Sequence, residues 1–341
     1  MRPPVKYMTT SDGCKLAYSI SGSGRPLVLL GPALGGIALL WRFFPDWMEG
    51  LTNRFRLIQH DLRGHGMSQR GIPHDFARTT SGGYNVAYSD ENDTRELLDR
   101  LGLDRFILFG LAGVGHVAVR YAVAHEEHVA ALILSGTSAS SGMPSFFQGV
   151  AAENWEFFLR SLVPASLDSE ESQAWVECGK QSTTYEDWLI RGRIASESNI
   201  DPELPLVRVP TLVLHPRDQA LVVAEGTRKL AASIPGARLV MLNGSYFWGD
   251  AAESIAAIES FLAELPPQWK DSAAVGGLSP REVDLLTAGR SNQQIAEELV
   301  ISASTVAKHL NSIFAKGGFV NHTEAAAFAH RNRLVEFPLD Q

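Results

Sequence analysis

Six short apolar runs punctuate the first three quarters of the chain, at 27–30, 55–59, 106–109, 130–134, 211–214 and 239–242. Most are continuous rather than alternating, the pattern of strands buried on both faces of a parallel sheet. The run at 55–59, with Arg56 inside it, is the weakest. Between the runs, apolar positions recur with helical period over 93–101, 117–124, 224–233 and 251–262. Strand and helix in regular alternation predict a doubly wound α/β fold with a mostly parallel sheet.

One interval breaks the rhythm. From about 143 to 199 the pattern is helical and rich in aromatics (Phe146, Phe147, Trp155, Phe157, Phe158, Trp175, Tyr185, Trp188), which reads as a helical cap inserted into the sheet domain. The stretch 266–277 combines two prolines, charges and a glycine pair, the composition of a linker. The expected organisation is a sheet domain at 1–265, a linker at 266–277 and a small all-α domain at 278–341.

That last segment announces its helices. Ser279-Pro280-Arg281-Glu282 places a capping serine before a proline, with glutamate three positions after the cap; Ser291-Asn292-Gln293-Gln294 repeats the box. Ser302 and Thr323 cap two more helices. Only Val300-Ile301-Ser302 separates the second helix from the third, the tight connection of a helix-turn-helix. In the third helix Val306, Leu310 and Ile313 form a core stripe. The short or cationic side chains opposite suit a helix seated in a major groove.

Composition narrows the possibilities. The chain has 341 residues, a formal net charge of −8, 45% hydrophobic and 20% charged residues, an ordinary globular balance that excludes a polyanion-binding surface over the whole chain. Segment 278–341 carries six Lys/Arg against seven Asp/Glu, so DNA contact has to come from a local patch. The two cysteines, Cys14 and Cys178, form neither a disulfide framework nor a metal motif. The N-terminal residues lack an apolar leader core. The most apolar stretch, 27–41, is broken by glycine and proline and is shorter than the ~20 residues of a spanning helix. A cytoplasmic protein without membrane contact, cofactor or metal is expected.

The C-terminal segments LSPRE (278–282), SNQQIAEEL (291–299), ISASTVAKHLNSIFAK (301–316) and TEAAAFA (323–329) resemble the LuxR-family DNA-binding domain in order and spacing. The resemblance implies binding to double-stranded DNA through Ser304, Thr305, Lys308, His309, Ser312 and Lys316, and a homodimer formed through the fourth helix. Ala307, Gly317 and His322 depart from common choices at their positions. Upstream, Asp61-Leu62-Arg63-Gly64-His65-Gly66-Met67-Ser68 and the segment 97–110 resemble the α/β-hydrolase scaffold, over roughly 5–264.

Active members of that family carry G-x-S-x-G on a strained turn after the central strand. Here the turn reads Gly110-Leu111-Ala112-Gly113-Val114, so alanine stands at the nucleophile position. The resemblance puts Gln219 at the acid position, with Asp218 one residue off register, and Phe247 at the base position. A neutral amide does not stabilise an imidazolium as a carboxylate does. Without a nucleophile, the strain of the turn is no longer required by catalysis and is expected to be dispensable. The expectation is a non-catalytic sensor that binds a small, mostly apolar effector against Ala33, Leu34, Ala112, Gly113, Trp155, Phe158, Trp188, Gln219, Tyr246 and Phe247. Two rivals stand beside it: an enzyme using unconventional groups, and a scaffold whose old pocket is filled by its own side chains. His65, His116 and His215 are read as structural.

Overall fold

The computed structural model describes residues 3–32, 35–72, 86–139, 145–164, 167–218, 224–265, 293–294 and 324. The chain divides into two compact units, Met1–Trp269 and Lys270–Gln341. In the second, Gln293, Gln294 and Glu324 are helical. The expected DNA-facing residues Ser304, Thr305, Lys308, His309, Ser312 and Lys316 lie outside the described residues.

The first unit is built on one eight-stranded sheet of order β1-β2-β4-β3-β5-β6-β7-β8. The six apolar runs are its parallel strands: β3 (Arg25–Leu30), β4 (Phe55–His60), β5 (Phe106–Leu111), β6 (Val129–Ser135), β7 (Thr211–Pro216) and β8 (Arg238–Leu242). Even β4 is buried throughout except at Arg56, near its entry. Two further strands, β1 (Val5–Thr9) and β2 (Lys15–Ser21), join antiparallel at the β4 edge. The sequence pattern does not reveal them because β1 is mostly exposed, with only Met8 buried, and β2 mixes buried Leu16, Ala17 and Ser19 with an exposed Lys15 instead of forming a continuous apolar run.

Along β5 successive side chains enter opposite cores, as strand geometry requires. Phe106 and Leu108 pack with Leu97 and Leu98 of α3 (Val86–Leu101), with Val117 and Tyr121 of α4 (Gly115–Ala124) and with Leu230 of α9 (Ala224–Ser233). Ile107, Phe109 and Leu111 pack with Ile37 and Leu40 of α1 (Gly36–Phe43), Trp47 and Leu51 of α2 (Pro45–Thr52) and Ile258 and Phe261 of α10 (Ala251–Glu264). Helices therefore cover both faces of the sheet, and the strand ends are left to carry function.

The cap consists of α5 (Ser145–Glu153), α6 (Trp155–Ser161), α7 (Ser169–Ser182) and α8 (Tyr185–Glu197). Asn154 caps α6, and Asp168 with Glu171 forms a capping box on α7. The cap grips the turn that follows β4. The Asp187 carboxylate accepts the backbone N–H groups of Gly71 and Ile72 at 3.1 and 2.6 Å. One turn later Arg191 donates to the Arg63 carbonyl at 2.9 Å and pairs with Asp90 of α3, both side chains being buried. From the other side the Arg70 guanidinium donates to the carbonyls of Gly66 and Gln181.

Candidate functional site

The candidate site begins where β5 turns into α4. Ala112 holds φ +51°, and it is the one non-glycine residue with positive φ among those described. For an alanine this left-handed conformation costs on the order of 1–3 kcal/mol. The strain expected to be dispensable is therefore retained, and the surrounding packing explains why. A Cβ on Gly110 would lie 2.7 Å from the Cα of Gly115, and a Cβ on Gly115 would lie 2.2 Å from Oγ1 of Thr137. Strand and helix thus meet with no space to spare, and the Thr137 hydroxyl donates to the Ala112 carbonyl at 2.9 Å. The sharp turn is imposed by backbone contact and one buried hydroxyl, neither of which needs a nucleophile. Val114, which stands where the family pattern has a second glycine, is buried in the core instead.

Ala112 is half-buried and Gly113 exposed, so the turn presents a methyl group and a peptide edge outward. The loop after β8 meets the same region. Its Phe247 carbonyl accepts the Ser135 hydroxyl, and its ring lies against Gly136, where a Cβ would come 2.9 Å from Cδ1. The segment 135–137 at the end of β6 therefore holds both Ala112 and Phe247. The loop after β7 joins them through the Asp218 N–H, which donates to the Gly244 carbonyl at 3.2 Å, while the Asp218 side chain is exposed. Of the positions singled out from the sequence, Ala112, Phe247 and the Asp218 backbone are joined in this way at the ends of β5, β7 and β8. Ala33, Leu34 and Gln219 lie outside the described residues.

Aromatic rings dominate the approach to this end. Tyr246 packs 4.4 Å from Phe44, 4.4 Å from Trp248 and 5.9 Å from Trp175 of α7. Trp248 stacks on Trp47 at 4.3 Å. Burial pushes the Tyr246 phenol well above its ordinary range, so it stays protonated. Trp155, Phe158 and Trp188 belong to a different group: they pack on one another at 4.6–5.4 Å in the cap's own core with Val176 and Leu159. The contribution of Phe44, Trp47 and Trp175 was not anticipated. Trp175 was visible as a cap aromatic, but nothing in its helical period distinguishes the ring that reaches the sheet from those that stay within the cap.

The histidines near the site are engaged structurally. His116 bonds Ser198 through Nδ1 at 2.7 Å and donates from Nε2 to the Ser138 carbonyl at 2.8 Å. Burial lowers its pKa to about 4, so it is neutral at physiological pH. His215 is buried with Nδ1 3.0 Å from the Thr227 hydroxyl, which itself donates to the Thr137 carbonyl. Both ring nitrogens of His116 are thus engaged in holding the fold. Among the described residues no group of three or more side chains is placed to hold a metal ion.

Comparison with known proteins agrees with this architecture. Residues 26–173 match the model of the alpha/beta hydrolase fold, and residues 277–329 match that of bacterial regulatory proteins of the luxR family. The chain joins an alpha/beta hydrolase domain to a luxR-family DNA-binding domain. A putative carbamate hydrolase RutD of Caulobacter sp. strain K31 is 28% identical over 271 residues, covering 74% of this chain and 94% of its own length. A hydrolase from Pseudomonas aeruginosa PA01 superposes with TM-score 0.62 at 25% identity, over 76% of this chain and 98% of that one. The enol-lactonase of Burkholderia xenovorans LB400 does so with TM-score 0.63 at 22% identity, over 76% and 100%. No helix among the described residues is long and apolar enough to cross a membrane.

Proposed function

We propose that this chain is an effector-responsive transcription regulator whose hydrolase-fold domain, 1–265, binds a small, mostly apolar molecule without hydrolysing it. The observation that carries the reading is the turn at Ala112: the conformation that presents a nucleophile persists, with a methyl group in its place. Phe247, where the family pattern has the base, packs its ring on Gly136 and has no proton-accepting atom. Gly113, Tyr246 and Phe247 then line an apolar floor, and Ala33, Leu34 and Gln219 are proposed to contribute to the same site. Trp155, Phe158 and Trp188 act from within the cap, by keeping it rigid. No cofactor or metal is needed for this role.

Residues 266–277 link this sensor to a DNA-binding domain at 278–341, in which Ser304, Thr305, Lys308, His309, Ser312 and Lys316 face a half-site. As a homodimer the protein reads two half-sites about 34 Å apart, or a multiple of that spacing. An effector that favours one arrangement of the dimer by about 1.4 kcal/mol shifts its population tenfold. The test has two arms. The Thr305→Ala/Lys308→Ala double variant loses DNA binding in a mobility-shift assay, while ligand-induced thermal shifts across an apolar metabolite panel persist. Unchanged DNA binding would overturn the recognition-helix assignment. A panel that shifts nothing would favour a filled pocket and control through a protein partner.

A further inference from the structure

The ring cluster of the candidate site is tied to one helix in particular. Phe247, packed on Gly136, lies edge-on to Tyr246 at 5.2 Å, and Tyr246 meets Trp248 at 4.4 Å. Trp248 stacks on Trp47 of α2, with 9° between the ring planes. The Trp47 indole N–H donates to the Ser254 hydroxyl of α10 at 3.1 Å, and both residues are buried. A buried donor is costly to leave unpaired, so ring and helix move together. The start of α10 is also fixed to the ring-bearing loop. Asp250 caps the helix by accepting the Glu253 N–H at 2.9 Å, and the Glu253 carboxylate accepts the Asn243 N–H at 2.8 Å. Across the loop, the Asp250 N–H donates to the Asn243 carbonyl at 2.7 Å and the Gly249 N–H to the Tyr246 carbonyl at 2.8 Å. Farther along, a Cβ on Gly50 of α2 would lie 2.2 Å from Cδ1 of Ile255, and Arg54 pairs with Glu259 at 2.6 Å. Interiors packed this closely transmit displacement. α10 ends at Glu264, from where the chain runs on to the second unit, which begins at Lys270.

We propose that α10 is the output element of the aromatic site. An occupant that displaces Tyr246, Phe247 or Trp248 moves Trp47, and the Trp47–Ser254 bond carries the displacement into α10 and so to the segment that leads into the second unit. The proposal rests on the reading that this end of the sheet receives an effector, and it names the route by which binding is reported.

The test is hydrogen–deuterium exchange of the full chain carrying Ala112→Cys and Cys178→Ser, before and after reaction with benzyl methanethiosulfonate. The reagent joins a benzylthio group to the introduced thiol as a disulfide and releases methanesulfinate. Cys178 is replaced because it is only half-buried, whereas Cys14 is buried and left in place. We expect the amides of α10 to change their exchange rates by about fivefold or more, the lower end of ordinary coupling between sites. Those of α3, whose Leu97 and Leu98 pack in the opposite core, are expected to hold theirs. Trp47→Phe keeps a ring in the stack and removes the N–H donor, while the Ser254 hydroxyl retains its bond to the Ala251 carbonyl. In that background most of the α10 response is expected to disappear. An α10 that does not respond, a response shared equally by α3, or an undiminished response with Trp47→Phe would overturn the proposal. Failure of the sensor reading itself shows elsewhere, as ester turnover by the parent or as the absence of any ligand-induced thermal shift.

Discussion

Ala112 is a residue whose backbone and side chain serve different histories. Its backbone stays left-handed because Gly110, Gly115 and Thr137 allow no other path between β5 and α4. Ala112→Gly removes the steric cost while keeping the path, and is expected to stabilise the protein by about 1 kcal/mol, seen as a higher Tm. A lower Tm would mean that the methyl group itself packs productively. His116 makes a second prediction at this scale. Its folded pKa, about 4, lies below the ordinary 6.5 because burial penalises the charged ring. The unfolded chain therefore binds the extra proton, and this residue's contribution to stability, full above pH 6.5, is lost as pH falls toward 4. Denaturation of His116→Gln across that window is expected to show a flatter pH dependence than the parent. The sequence shows which residue types occupy these positions. It does not show the retained strain, which arises from contacts between segments as distant as Gly115 and Thr137.

Among elements, α8 ties the cap to the sheet domain through Asp187 and Arg191. The ion pair of Arg191 with Asp90 is buried, with side-chain exposures of 8% and 1%, so removing one partner strands a charge where water does not reach. Arg191→Met is expected to cost about 3–5 kcal/mol in chemical denaturation, and Asp90→Asn in the same chain to recover part of it. If the single variant lost nothing, the pair would contribute little to seating the cap. The six parallel strands were legible because burial on both faces writes continuous apolar runs. β1 and β2 were not legible, since exposed or polar residues (Lys6, Tyr7, Lys15, Ser19) interrupt their apolar runs. Nor was the division of labour among cap aromatics: Trp175 reaches Tyr246, whereas Trp155, Phe158 and Trp188 hold one another. Helical period fixes a face and is silent on which neighbour meets it.

At the scale of the whole molecule, a fold used by hydrolases is joined to a luxR-family domain in a chain of net charge −8. The central claim is that the first domain receives a ligand and performs no chemistry on it. Ester turnover by the purified full chain tests this most directly, measured on a series of activated aryl esters beside the Ala112→Ser variant. The account predicts rates at the buffer background for the parent and scarcely above it for the variant, because a restored hydroxyl would still have no base beside it. Turnover that survives purification and disappears when Gln219 or Phe247 is replaced would contradict the account and make this protein an enzyme.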